Sequence, residues 1–268
     1  MTPSPARPQR PTLPELRAVV QPDSVLGRAT AEHWTGTLYM RRISVHLTWL
    51  LVRTPITANG VTWLMIIAGG LAGPALLLPG LWGPIVAVLL TQLQMLLDCC
   101  DGEVARWRDT MSPRGIFLDQ IGHYVAEGSI GLFLGVSAGF LIGPPFDWRF
   151  AFLGALLTAG IWFNKSLNMM VTLARTNSGL DRLPDQEGLR EIPGRSFLAR
   201  LRRLSRFVPF HRIFHSIELT LVSLVVAVVA AFAPAVWPGY VAVLAVGIWV
   251  VSAGHFVAIW KSPRLATG

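Results

Sequence analysis

Residues 98–123 read DCCDGEVARWRDTMSPRGIFLDQIGH, and they interrupt a chain that is otherwise largely apolar. Asp98, Asp101, Asp119 and His123 fall between stretches that are membrane-soluble on both sides. On a helix Asp98 and Asp101, three apart, share a face, and so do Asp119 and His123, four apart. Gly102, Ala105 and Gly115 are small and let a backbone or a ligand approach closely. Carboxylates at membrane depth are costly and need partners. Acids at the ends of two helices are satisfied either by water and Arg106, Arg108 and Arg114, or by divalent cations. Oxygen ligands of this kind suit Mg²⁺ or Mn²⁺, and such ions typically hold a diphosphate at the same time.

Composition fixes the setting. Of 268 residues, 52% are hydrophobic and 14% charged, against the roughly 25% charged of a soluble domain. The mean hydropathy is positive. These values predict an all-α polytopic membrane protein. The net charge of +8 points to topology signals and anionic lipid. It does not point to nucleic acid, because no basic run is interleaved with aromatics. The only cysteines, Cys99 and Cys100, are adjacent and suit neither a disulfide nor a zinc site.

Working outward, six apolar stretches near 59–78, 83–104, 115–140, 149–174, 213–233 and 239–260 each come close to the length of a membrane-crossing helix. Gly and Pro punctuate the breaks between them. Basic residues gather before the first stretch, between the second and third, over the 175–212 loop and after the last (Lys261 and Arg264), whereas Arg149 stands alone on the opposite side. Both termini, that loop and the acidic stretch are therefore expected on the cytoplasmic side. Residues 1–36, rich in proline, read as a disordered tail. Residues 37–54 read as an amphipathic helix lying in the interface, with Ile43, Leu47, Leu50 and Leu51 at helical spacing and Pro55 as its break. The six-span domain occupies 55–262. Within its cytoplasmic loop, RSFLARLRRLSRFVPF reads as a second interfacial helix.

The pattern Asp98-x2-Asp101-Gly102-x2-Ala105-Arg106-x8-Gly115-x3-Asp119-x3-His123 resembles the signature of the CDP-alcohol phosphotransferases, D-x2-D-G-x2-A-R-x8-G-x3-D-x3-D. Every fixed position matches except the last. The stretch RTPITANGVT is similar to the family's approach to its first span, TPxTPNxxT, with Ala58 where proline is usual. The resemblance implies six spans behind an interfacial helix, a homodimer, and a multi-pass location such as a bacterial plasma membrane. It also implies a chemistry: a substituted phosphoryl group passes from a CDP-linked donor, commonly CDP-diacylglycerol, to an alcohol, and CMP is released. By the same resemblance Asp98, Asp101, Asp119 and His123 hold two Mg²⁺ or Mn²⁺ ions. Gly102, Ala105, Arg106 and Gly115, with Asn59 and Thr62, shape the donor pocket.

His123 stands where the family has the aspartate taken to deprotonate the acceptor. Imidazole, with an ordinary pKa of about 6.5, is a competent general base. It is also a metal ligand, better suited to Mn²⁺ than to Mg²⁺. Glu127, one turn on, is placed to orient it or to supply the lost charge. Lys165, inside the fourth apolar stretch, is a candidate for an acceptor phosphate or for pairing with a carboxylate in the bundle. Arg175 and Arg114 are further acceptor candidates, with inositol phosphate or glycerol phosphate favoured as acceptor. His211 and His215, four apart, read as interface residues. A transporter built on the acids is disfavoured, since they lie near one face and no inverted repeat is visible. A degenerate relative that only binds lipid or nucleotide is the remaining alternative.

Overall fold

The computed structural model describes residues 7–8, 10–22, 35–181 and 210–265, and these contain helices and no strand. The helices are α1 Leu13–Val20, α2 Arg41–Leu51, α3 Ala58–Ala75, α4 Trp82–Arg108, α5 Pro113–Leu141, α6 Trp148–Asn177, α7 Ser216–Ala230 and α8 Val236–Trp260. A π-helical turn, Gly36–Met40, leads into α2, and 3-10 turns occupy Phe210–Phe214 and Pro263–Leu265. The second interfacial helix expected around 195–210 lies outside the described residues, save Phe210 at its end.

Among the described residues five helices, α3, α4, α5, α6 and α8, are long and apolar enough to cross a membrane. The stretch expected to cross at 213–233 is shorter than its hydropathy suggested. α7 has 15 residues, about 22 Å at the helical rise. Its N-terminus is set by His215, whose extended backbone (φ −76°, ψ 153°) separates it from the preceding 3-10 turn. At the other end the chain leaves the helix ahead of Pro234, which disfavours helical geometry in the residue before it.

The tail differs from expectation as well, because Leu13–Val20 within it is helical. Pro14 sits in the first turn, where its missing N–H costs nothing. The Thr12 amide donates to Glu15 Oε2 at 2.8 Å and holds that carboxyl below the usual carboxylate range. Leu16 and Val20, one turn apart, are fully buried. They cluster with Val45 and Val52 beside α2 and with Val104 and Trp107 of α4.

The chain divides into two units, residues 1–69 with 92–123, and residues 70–91 with 124–268. In the first, α2 buries Ser44, Val45 and Thr48 and turns Ile43 and Leu50 outward. Arg42 and His46 are exposed on the same helix. Arg108 at the end of α4 clamps the turn after α2: its guanidinium donates to the carbonyls of Thr54 at 2.7 Å and Leu51 at 3.3 Å, and to that of Ile56. This turn aims α3. Gly122 of α5 then lies against Met65 of α3, so close that a Cβ would stand 2.0 Å from Met65 Cε.

In the second unit α5 and α6 pack backbone to backbone. A Cβ on Gly135 would meet the Phe150 carbonyl oxygen at 2.3 Å and Gly154 Cα at 2.6 Å, the close approach typical of small-residue packing in membranes. α8 is apolar on both faces: Val241, Leu244 and Ile248 are buried, while Val243, Val246 and Val250 are each more than 60% exposed. Gly135→Ile should therefore destabilise the protein in detergent by at least the roughly 1–3 kcal/mol of overpacking. Gly239→Ala, where nothing lies within 4 Å, should be neutral or stabilising by about 0.5–1 kcal/mol. Thermal unfolding of both variants measures the contrast.

Candidate functional site

The last three turns of α4 carry Asp98, Asp101, Gly102, Ala105 and Arg106, and the first turns of α5 carry Gly115, Asp119 and His123. His123 Nε2 lies 3.2 Å from Asp98 Oδ1 and 3.7 Å from Asp119 Oδ1. One ligand atom from each of these three residues falls within 4.8 Å of the others, a group able to hold a metal ion. Their side chains are 23–31% exposed, so water and small ligands reach them. Gln120 Nε2 donates to Asp119 Oδ2 at 3.2 Å.

Asp101 is more deeply set, at 9% exposure, and Thr62 Oγ1 donates to its Oδ2 at 2.7 Å. Thr62 thus ties the start of α3 to α4. A Cβ on Gly115 would meet Asn59 Oδ1 at 3.3 Å, so the glycine lets α5 begin beside Asn59. Gly102 does the same for Arg106, whose Nη1 would lie 3.2 Å from a Cβ there. The structure thus brings together Asp98, Asp119 and His123, and separately pairs Thr62 with Asp101 and Asn59 with Gly115. Carboxylate oxygens with one imidazole form a donor set that fits a divalent cation, harder than a zinc site and softer than an all-aspartate one.

The acceptor candidates behave differently. Lys165 Nζ donates to both Glu127 oxygens at 2.9 Å and sits 5.5 Å from the Tyr124 ring centre. His215 Nδ1 approaches Glu127 Oε1 at 3.4 Å. Glu127 therefore meets the Lys165 ammonium, which realises the carboxylate pairing open to that lysine. Arg175 donates to the carbonyls of Asp181 at 2.9 Å and Arg264 at 2.8 Å, and Arg114 is exposed.

One residue escaped sequence reading. Glu103, with no exposed surface, accepts from Ser44 Oγ at 2.7 Å, Thr48 Oγ1 at 2.7 Å and Gln21 Nε2 at 2.8 Å. Arg41 Nη1 lies 3.6 Å from it. A signal for it was present: Ser44 and Thr48, spaced i, i+4, place hydroxyls on one face of an otherwise apolar helix. Glu103→Leu should leave these donors buried and unpaired, lowering stability by the roughly 3–5 kcal/mol of a broken buried pair. Glu103→Gln, which keeps an acceptor oxygen, should lose less, and thermal unfolding separates the two.

Comparison with known proteins places residues 55–186 in a match to the family model described as CDP-alcohol phosphatidyltransferase. The matched segment contains every residue of the acidic site and ends beyond Arg175. Among curated proteins nothing matches.

Proposed function

Because the chain belongs to the CDP-alcohol phosphatidyltransferase family, whose members use divalent metals to move a phosphatidyl group from a CDP-linked donor to an alcohol, we propose that it transfers this group from CDP-diacylglycerol, with release of CMP. The observation that carries this is the convergence of Asp98, Asp119 and His123 within 4.8 Å, inside the matched segment. The alcohol oxygen attacks the phosphorus that bears the lipid, the bond from that phosphorus to the bridging oxygen breaks, and CMP leaves carrying that oxygen and the bond's electrons.

Asp98, Asp101 and Asp119 would hold divalent metal, which when bound neutralises the diphosphate and the departing CMP. Thr62 fixes the Asp101 carboxylate by its hydrogen bond. Gly102 makes room for the Arg106 guanidinium, which faces the phosphates. His123 takes the proton from the acceptor hydroxyl. The Asp98 and Asp119 oxygens beside its Nε2 stabilise the imidazolium that results, as carboxylates do for other catalytic histidines. The grouping of Nε2 with the two carboxylates also favours a second reading, in which His123 is itself a metal ligand.

Inositol phosphate and glycerol phosphate are the acceptors to test first. Arg175 supports a phosphorylated acceptor, since among the described residues its guanidinium bonds backbone carbonyls alone, whereas the Lys165 charge is already matched by Glu127. The protein works as a homodimer with both termini and the site cytoplasmic. α7, extended by its 3-10 turn, serves as the sixth span, since an even number of crossings is needed for this topology.

Purified protein should release CMP from CDP-diacylglycerol in the presence of an acceptor and Mn²⁺ or Mg²⁺, and chelation should stop it. His123→Ala should lower turnover by the about 10²–10⁴-fold typical of losing a general base, and His123→Asp should retain measurable activity. With His123 as base, turnover of the unaltered enzyme falls as acid protonates the imidazole. Full turnover in His123→Ala would remove the base assignment. Absence of CMP release with every acceptor would leave a nucleotide- or lipid-binding protein.

A further inference from the structure

Residues 11–21 are bound to the motif helix far more closely than a tail requires. The Val20 carbonyl accepts from Arg106 Nε at 2.8 Å. Gln21 donates through Nε2 to Glu103 Oε1 at 2.8 Å and to the Arg41 carbonyl at 2.7 Å. Trp49 Nε1 donates to the Pro11 carbonyl at 2.9 Å. Arg7, just upstream, donates to the carbonyls of Arg106 and Trp107. Leu16 and Val20 pack the strap into one buried cluster with Val45 of α2 and Val104 and Trp107 of α4.

Arg106 is half-buried and held at its neck. Its Nε is engaged by Val20, while Nη1 and Nη2 carry no hydrogen bond among the described residues and lie over Gly102. Those two nitrogens form the fork with which a guanidinium grips a phosphate through parallel hydrogen bonds. An arginine already fixed at Nε loses less rotamer freedom when the fork engages, so the same contact binds more tightly.

We propose that the strap of residues 11–21 is a working part of the donor site, holding Arg106 so that its fork is preset for the donor's diphosphate, with Gln21 and Glu103 as the latch. Gln21 and Glu103 are positioning residues that act through Arg106. The inference rests on the proposed reaction for the donor's identity, while the geometry itself requires only a phosphate-bearing ligand.

The test is titration of full-length protein with CMP at saturating Mn²⁺, alongside steady-state CMP release. Leu16→Asp undocks the strap and Gln21→Ala removes the latch, and neither residue touches Asp98, Asp119 or His123. Each should raise the CMP dissociation constant and the donor KM about tenfold, the scale of one well-oriented charge-assisted hydrogen bond, with a much smaller change in kcat. Arg106→Ala should show a similar loss, and adding either strap substitution to it should cost nothing more. Losses that add in the double variants overturn the proposal, and so does unchanged CMP affinity in Gln21→Ala, which removes the latch's hydrogen bonds while keeping the Leu16 and Val20 side chains, and decides the matter where Leu16→Asp does not fold. A purely structural strap lowers the unfolding temperature and leaves the KM of the folded enzyme unmoved. Wild-type protein that binds CMP but transfers nothing counts against the reaction and leaves the CMP cycle to decide the strap. Wild-type protein that binds no CMP overturns the strap proposal.

Discussion

Glu103 has no contact with solvent, yet its two oxygens take three hydrogen bonds at 2.7–2.8 Å, from Ser44, Thr48 and Gln21. A buried carboxylate is tolerated only when such partners replace its water. Glu127 meets the same demand with the Lys165 ammonium on both oxygens. Asp98 and Asp119 are satisfied differently, for both approach the same imidazole nitrogen and stay partly open to solvent. Acids held by fixed donors belong to the scaffold. Acids gathered together and partly open to solvent attract cations, and this contrast separates the two classes in a helix bundle where composition alone would group them.

The placement of Glu103 also sets the direction of the site. Successive residues of a helix are rotated by about 100°, so Asp101 and Asp98 point to roughly the opposite side of α4 from Glu103. Gripping Glu103 with Ser44 and Thr48 of α2 therefore fixes the roll of α4 and turns the aspartates away from α2. On that far side Thr62 of α3 reaches Asp101, and Asp119 and His123 of α5 reach Asp98. A loosened latch would rotate both aspartates together, because they ride on one rigid helix.

Much of this was legible in residue order. Apolar stretches of spanning length became α3, α4, α5, α6 and α8, because hydropathy and helical rise are local properties. The i, i+4 spacing of Asp119 and His123 put them on one face of α5, because that relation is local. Contacts distant in sequence were not legible. Gln21 and Glu103 are 82 positions apart, and Lys165 and Glu127 are 38 apart, so no periodicity links them. The proline-rich tail hid α1 because its helix is stabilised by burial of Leu16 and Val20 on other elements, and little by its own propensity. α7 is shorter than its apolar stretch because hydropathy counts apolar residues and does not register the extended backbone of His215.

The histidine at position 123 changes the electrostatics of the cleft. An aspartate there would add a third carboxylate beside Asp98 and Asp119, and like charges so close cannot all remain ionised without a cation between them. Imidazole brings its own proton. With Nε2 3.2 Å from Asp98 and 3.7 Å from Asp119, it can offer that proton to either carboxylate, so the helix ends can approach without a cation holding them. The same hydrogen bond competes with any cation that enters, since Asp98 Oδ1 cannot give its full lone-pair density to both. In general, replacing a carboxylate by imidazole in a donor set weakens its hold on hard cations and favours ions that accept nitrogen. His123 thereby links the packing of α4 against α5 to the way these carboxylates can take up a cation.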